Sequence, residues 1–124
     1  MKEIINKFCK EIYQVNKEKG FWDDRENLPQ LGSLTGEESE TLDKAFNAQM
    51  LALIHSEISE ALEADRKDLM DDKLPHRKGL EVELADAAIR IFDMAGGLNM
   101  DLGGAILEKL TYNKSRPFKH GKNY

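Results

Sequence analysis

The fold of this chain is decided by the stretch Ile54-His55-Ser56-Glu57-Ile58-Ser59-Glu60-Ala61-Leu62. A later stretch repeats its pattern, and it reads Leu80-Glu81-Val82-Glu83-Leu84-Ala85-Asp86-Ala87-Ala88. Each has an aliphatic residue three positions before a glutamate and a second carboxylate three positions after it. A helix turns about 100° per residue, so the second acid lies about 60° from the first, on the same side. Two such helices packed antiparallel would bring both acid pairs face to face.

An apolar arc adjoins the acids on both predicted helices. On the first helix the arc covers about 20° to 140° from Glu57, and it consists of Met50, Leu51, Ile54, Ile58, Ala61 and Leu62. On the second helix the same arc, measured from Glu83, consists of Leu80, Leu84, Ala87, Ala88, Ile91, Met94, Ala95 and Leu98. Because an apolar arc marks the side of a helix that packs on other elements, we expect both arcs to be buried.

Helical signals cover most of the chain. The predicted helices are 2–18, 35 to about 69, 80–98 and 102–114. Thr35 and Glu38 match a capping box at the start of the second helix, and Asp101 is a good N-cap for the fourth. The second helix is long for a globular protein, which leaves open a break near Asp43.

Glycine, proline and aspartate separate these helices. The first helix is predicted to stop at Gly20, and the segment 21–25 follows it. The stretch with Pro29, Gly32 and Gly36 is predicted as loop, and so is 71–79. No alternation of period two persists, so no strand is predicted. We therefore expect one all-α domain over 1–124, a bundle of four or five helices. A chain of 124 residues makes a thin bundle, so we expect it to be completed by a second copy.

Composition excludes several classes of protein. The net charge is −5, from 18 basic and 23 acidic residues, which argues against nonspecific nucleic-acid binding because phosphate backbones need a basic face. The single cysteine, Cys9, cannot form an internal disulfide, and it is expected in the core. No apolar run approaches the roughly 20 residues of a membrane span, and no signal peptide is evident. We expect a soluble, cytoplasmic protein.

Four carboxylates held close together repel one another unless something neutralises them. The four predicted here are Glu57, Glu60, Glu83 and Asp86. An all-oxygen set of this kind suits Mg²⁺, with Mn²⁺ as a substitute, and Mg²⁺ points to phosphate chemistry. None of the three histidines follows a glutamate by three positions, which argues against a di-iron bundle. The alternative is that these acids are ordinary solvated residues.

Two charged residues follow Asp86 on the same predicted helix. Arg90 can pair with Glu83, Asp86 or Asp93. Asp93 is a candidate support for the acid site, with an ordinary exposed acid as the equal alternative.

The end of the chain carries its only concentrated positive charge. Lys109, Asn113 and Arg116 share one helix face, and Lys114 lies among them. These groups are candidates to hold substrate phosphates, because arginine and lysine bind phosphate well. The alternative is a basic helix end that complements the helix dipole. Near the start, Phe21 and Trp22 are candidates to stack on a nucleobase or, alternatively, to pack on the bundle.

The acid-bearing segments 53–62 and 82–93 resemble the MazG-like all-α nucleoside triphosphate pyrophosphohydrolases, which carry Glu-x-x-Glu, a spacer and then Glu-x-x-Asp. The tail 109–121 and the segment 19–24 resemble one branch of these proteins. Residues 28–43 depart from the family, because many relatives reach the acid-bearing helix in fewer residues.

The resemblance implies a Mg²⁺-dependent hydrolase that cleaves a nucleoside triphosphate, expected to be a deoxynucleoside triphosphate, between the α and β phosphates. It implies that the four carboxylates bind the metal, with Glu57 or Glu60 as general base. It implies contacts to phosphate or sugar from Lys109, Asn113, Lys114 and Arg116, and to the base from Trp22. It also implies a homodimer or homotetramer.

Three alternatives remain open at this point. Within the same superfamily, the chain could be a phosphoribosyl-ATP pyrophosphohydrolase or a dimeric enzyme that hydrolyses dUTP. From another class, it could be a helical dimerisation or regulatory module without turnover.

Overall fold

The computed structural model describes residues 1–28, 32 and 34–124, and this part of the chain is all-α. Its helices are α1 (Lys2–Glu18), α2 (Asp23–Asn27), α3 (Gly36–Arg66), α4 (Gly79–Gly97) and α5 (Leu102–Lys114), with a 3-10 turn at Phe118–Gly121. No strand occurs within the described residues, although one isolated bridge joins Met70 to Lys78. The prediction of an all-α chain is therefore confirmed.

The start of α3 follows the predicted capping box. The Thr35 hydroxyl accepts a hydrogen bond from the Glu38 backbone N–H at 3.1 Å, and the Glu38 carboxylate accepts one from the Thr35 N–H at 2.8 Å. The break that the sequence left open near Asp43 does not occur, because α3 runs unbroken to Arg66. Arg25, in the short helix α2, supports this part of α3 by pairing with Asp43 at 3.8 Å. Helix α2 itself was not predicted from the sequence.

Helices α3 and α4 pack side by side and run antiparallel. Gly79 at the start of α4 lies against Ala64 near the end of α3, and Arg90 further along α4 bonds Glu57, two turns earlier on α3. The connection between them is held by Asp71, whose carboxylate accepts hydrogen bonds from two backbone N–H groups of the same loop. This arrangement aligns the two acid-bearing segments.

The interface between α1 and α4 depends on two adjacent glycines. A Cβ on Gly96 would collide with the backbone carbonyl of Cys9, and one on Gly97 would collide with the Trp22 ring. The lack of side chains here lets α1 and the indole lie directly on α4. Cys9 is buried, as predicted.

Helix α5 packs mainly on α1. Its N-cap is Asp101, as predicted, and the carboxylate accepts a hydrogen bond from the Gly104 N–H at 3.0 Å. The same carboxylate accepts from Asn6 at 2.6 Å and pairs with Lys2 at 3.1 Å. These contacts fix the start of α5 against the first two turns of α1.

The apolar arc of α3 is only partly covered. Ala61 is buried and Ile54 is half-buried, whereas three larger members of the arc are exposed; these are Leu51, Ile58 and Leu62. On α4, Leu80, Leu84 and Ile91 are exposed in the same way. The prediction that both arcs are buried is therefore confirmed only in part within a single chain. No helix in the described part of the chain has the length and apolar character needed to cross a membrane.

Candidate metal centre

Three of the four predicted metal ligands converge where α3 and α4 face each other. One carboxylate oxygen from each of Glu57, Glu60 and Glu83 lies within 4.8 Å of the others. Glu57 is only 8% exposed, Glu83 is half-buried and Glu60 is exposed. The cluster therefore has one buried wall and one side open to a ligand.

Asp86, the fourth predicted ligand, stands outside this triad but lines the same cleft, which has a volume of about 700 Å³. Burial raises the pKa of Asp86, and the charges of Glu57 and Asp71 raise it further, while Arg90 and Lys73 oppose the shift. Burial is thus the main cause of the raised pKa of Asp86, and among the charges around it the acids outweigh the bases.

The connection 67–78 supplies acids that sequence reasoning missed. Asp71 and Asp72 line the acid cleft together with the triad. Their positions were interpreted only as loop markers. The sequence offered one signal: a short connection between two antiparallel helices lies close to the side chains on the facing sides of those helices.

The pKa of Glu83 shows how strongly the acids interact. Burial raises it from the ordinary value of 4.5 to about 7, and the charge of Glu60 and hydrogen bonding with Glu60 and Glu57 contribute to the shift. A carboxyl beside other carboxyls is protonated more readily because ionising it adds a like charge. Near neutral pH, this cluster therefore holds a proton unless a cation replaces it.

Arg90 is the cation nearest to the cluster. Its Nε donates a hydrogen bond to Glu57 Oε1 at 2.5 Å, and the guanidinium side chain remains 41% exposed. The predicted partners of Arg90 were acids of its own helix, but its ion pair is with Glu57 on the neighbouring helix. The pairing fixes one oxygen of Glu57 and leaves the second oxygen for a ligand.

A second cleft, of about 350 Å³, lies on the other side of Glu57 and Asp86. These two acids line both clefts and so form a shared wall. The remaining lining of the second cleft is Asn16, Phe21, Gln49, Met50, Leu53, Ile89, Arg90, Asp93 and Met94. Of these, Phe21, Arg90 and Asp93 were considered as site residues from the sequence, and Met50 and Met94 as members of the apolar arcs.

Trp22 is packed inside the bundle rather than facing a cleft. Its indole is 2% exposed, lies edge-on to the Tyr13 ring at 5.0 Å and donates a hydrogen bond to Asp93 at 2.9 Å. Burial raises the pKa of Asp93, and hydrogen bonds from Trp22 and Asn16 oppose that shift. Trp22 thus has the packing role, and the neighbouring Phe21, 76% exposed, is the aromatic residue at the second cleft.

The basic tail is not brought to the acids within one chain. Neither cleft includes a residue of α5. Lys109 and Arg116 lie over the ring of Tyr112, at 4.6 Å and 5.7 Å from its centroid. Lys114 is exposed, and the buried Oδ1 of Asn113 has no partner among the described residues. The four predicted phosphate contacts therefore form a region separate from the triad.

The donor set of the triad fits a hard divalent cation. It consists only of carboxylate oxygens, which Mg²⁺ and Mn²⁺ prefer, and contains no sulfur or imidazole. A cation would also relieve the repulsion that raises the pKa of Glu83.

Comparisons of the chain with models of protein families, with curated proteins and with solved structures found no match in any of the three.

Proposed function

We propose that this chain is a Mg²⁺-dependent nucleotide pyrophosphohydrolase of the MazG-like kind. It hydrolyses a nucleoside triphosphate, with deoxynucleotides as the expected substrates, between the α and β phosphates, giving a monophosphate and pyrophosphate. The observation that carries the proposal is the convergence of Glu57, Glu60 and Glu83 from two helices within 4.8 Å. The acid motif on which the family resemblance rests contains these same residues together with Asp86.

The residues that would hold Mg²⁺ are the triad and Asp86. Bound there, Mg²⁺ supplies charge neutralisation at the phosphates and lowers the pKa of water. Arg90 holds Glu57 in one orientation, so the site is partly organised before a ligand arrives. Because Arg90 already uses one Glu57 oxygen, Glu60 is the favoured acceptor of the proton from the attacking water.

The proposal includes self-association as a homodimer or homotetramer. The exposed apolar side chains of α3 lie about 100° to 140° around the helix from Glu57, on the side away from Glu60; they are Leu51, Ile58 and Leu62. A second copy covering them would leave the acid cleft open. Light scattering after size-exclusion chromatography measures the mass directly, and a monomer at micromolar concentration contradicts this part of the proposal.

The alternative is a non-catalytic dimerisation or regulatory module. One observation favours it. The same exposed apolar surface of α3 can support an assembly whether or not the chain hydrolyses a substrate. The two functions differ in one respect that can be measured, which is pyrophosphate release.

The decisive experiment measures pyrophosphate release from a panel of nucleotides, each with Mg²⁺ and with a chelator. The panel contains canonical and modified triphosphates, dUTP and phosphoribosyl-ATP. We expect release that needs Mg²⁺ and is lost in Glu60→Gln, while Glu40→Gln retains it, because Glu40 is an exposed acid of the same helix whose one ion pair within the described residues is with Lys44. Release from no nucleotide at high enzyme concentration supports the regulatory module instead.

A further inference from the structure

The second cleft differs in chemistry from the acid cleft beside it. Its apolar side chains are Phe21, Met50, Leu53, Ile89 and Met94, and apolar atoms form the larger part of its walls. The other six lining residues are polar or charged; they are Asn16, Gln49, Glu57, Asp86, Arg90 and Asp93. A concave site of about 300–1,000 Å³ that combines apolar walls with placed polar groups is typical for a small organic ligand, and this cleft has about 350 Å³.

The shared wall fixes how a ligand would lie. Glu57 and Asp86 face both clefts, so one molecule can place a charged end at the acid cluster and an apolar end in the second cleft. A nucleoside triphosphate has this division, since its phosphates need cations and its base is a flat ring with two apolar faces. Resting on the proposed function, we propose that the second cleft binds the nucleoside of the substrate and that Asn16 and Gln49 recognise the base.

Asn16 is the better-fixed of the two amides. It lies on α1 beside Asp93, and its amide, acting as a hydrogen-bond donor, lowers the pKa of that carboxyl; Asp93 also accepts the indole N–H of Trp22. An amide has a donor NH₂ group and an acceptor oxygen, and a carboxylate can only accept, so the NH₂ group is turned toward Asp93. The carbonyl oxygen of Asn16 is then the atom that remains for a ligand.

Gln49 and Phe21 complete the recognition from two other elements. Gln49 is exposed on α3 and makes no side-chain hydrogen bond to the described residues, so both ends of its amide are open to a base edge. Phe21 lies at the cleft with most of its ring in solvent. An aromatic side chain in this position can stack on any base, which leaves the choice of base to the amides.

The fixed acceptor oxygen of Asn16 predicts a preference between bases. An exocyclic amino group can donate to it, whereas a carbonyl in the same position presents a second acceptor. Cytosine and uracil differ in this way at one ring position, so they form a matched pair of probes. We expect the deoxycytidine nucleotide to be favoured over the deoxyuridine nucleotide.

The test compares hydrolysis of dCTP and dUTP by the full chain with Mg²⁺. We expect Gln49→Leu and Asn16→Leu each to raise KM about tenfold, the effect of one lost hydrogen bond, with much smaller changes in kcat. Asn16→Leu should also remove the preference for dCTP. The control is Gln14→Leu, an exposed amide of α1 that bonds only Glu18 and should leave both constants unchanged.

Three outcomes overturn the proposal, and they are distinguishable. If the natural chain hydrolyses the nucleotides and KM is unchanged in both variants, the base-binding role is wrong, but the proposed function stands. A wild-type preference for dUTP contradicts the assigned acceptor. Release from neither nucleotide, nor from any other of the panel, overturns the proposed function and this proposal together. Circular dichroism checks the fold of Asn16→Leu. If that variant unfolds, Gln49→Leu still tests the proposal, because Gln49 is exposed and its substitution should not disturb the fold.

Discussion

Glu83 and Asp101 are both acids at the contact of two helices, yet their surroundings are opposite. Asp101 accepts hydrogen bonds from Asn6 and the Gly104 N–H and pairs with Lys2, and these contacts lower its pKa to about 2. Burial and other carboxylates raise the pKa of Glu83 to about 7. The difference indicates that Asp101 stabilises the fold, whereas the carboxylates around Glu83 repel one another, as expected of the proposed cation site.

Arg90 is the exception within the cluster, because it is the one basic side chain that pairs with a triad member among the described residues. It reaches Glu57 from the side of the second cleft, whereas Glu60 and Glu83 form no ion pair within the described residues. Three proposed roles therefore differ: acids that bind the ligand, an arginine that orients one of them, and an acid that holds two helices together.

The largest effect is expected from Glu83→Gln, which tests the first role. The variant removes a proposed ligand, so kcat should fall by more than the roughly 10- to 100-fold typical of groups that only support ligands. The thermal stability of the metal-free variant should stay the same or rise at neutral pH, because one repelling carboxylate is gone. Steady-state pyrophosphate release and differential scanning calorimetry measure the two effects.

Glu81→Gln is the matched control, since Glu81 is exposed on the same helix and, in the part of the chain that the structure describes, pairs with Arg77 alone. Full activity in Glu83→Gln would remove Glu83 from the metal site. A variant that unfolds would mean instead that the cluster is structural, and the contrast with Asp101 would disappear.

A smaller effect is expected from Arg90→Met. Loss of the guanidinium leaves the buried Glu57 without its hydrogen-bond partner, so its carboxylate is no longer held in one orientation. We expect activity to fall by about 10- to 100-fold, as for other groups that orient a ligand, with a higher Mg²⁺ concentration needed for half-maximal rate. Arg90→Lys should recover part of the loss, and unchanged Mg²⁺ dependence in Arg90→Met would argue against an orienting role.

Asp101→Ala tests the other side of the comparison. Removing an N-cap carboxylate costs about 0.5–2 kcal/mol of the free energy of unfolding, and the variant also loses the contacts with Asn6 and Lys2. Urea denaturation should therefore show a loss near the upper end of that range. The kcat of the folded variant should match the natural chain, because Asp101 lines neither acid-bearing cleft. Asp101→Asn, which keeps a side-chain oxygen for capping, should lose less.

What the sequence predicted well depends on local geometry. The period of the helix alone places Glu57 beside Glu60 and Glu83 beside Asp86, and an antiparallel pair then brings Glu57, Glu60 and Glu83 together. The capping box at Thr35 and the N-cap at Asp101 are also local, because each involves residues three positions apart. These features need no knowledge of how distant segments pack.

What the sequence did not predict depends on packing between distant segments. The second cleft joins Asn16 of α1, Gln49 of α3 and Asp93 of α4, and their convergence depends on the close approach of α1 that Gly96 and Gly97 permit. The ion pair of Arg90 with Glu57 crosses between helices in the same way. Spacing along one helix cannot select between partners on the same helix and partners on a neighbouring one.

The smallest expected effect is the pH dependence of stability without metal. The pKa of Glu83 in the folded chain is about 7, above its ordinary value of 4.5, so the folded state binds this proton more tightly than the unfolded state does. The free energy of unfolding should therefore fall as pH rises from about 4.5 to about 7, and this group should contribute no further change above that. Asp101 has the opposite sign, since its lowered pKa gives stability that is lost only as pH falls below its ordinary value of 3.8.

Melting temperatures between pH 5 and 8, with chelator and with Mg²⁺, measure this effect. With chelator the melting temperature should decrease toward pH 7 by the contribution of Glu83, and Glu83→Gln should remove that part of the slope. Because Mg²⁺ must replace the Glu83 proton, its apparent affinity should rise with pH over the same interval and then level off. If Glu83→Gln shows the same slope of melting temperature against pH, other groups cause the pH dependence. The acids of the cluster would then titrate like other exposed acids.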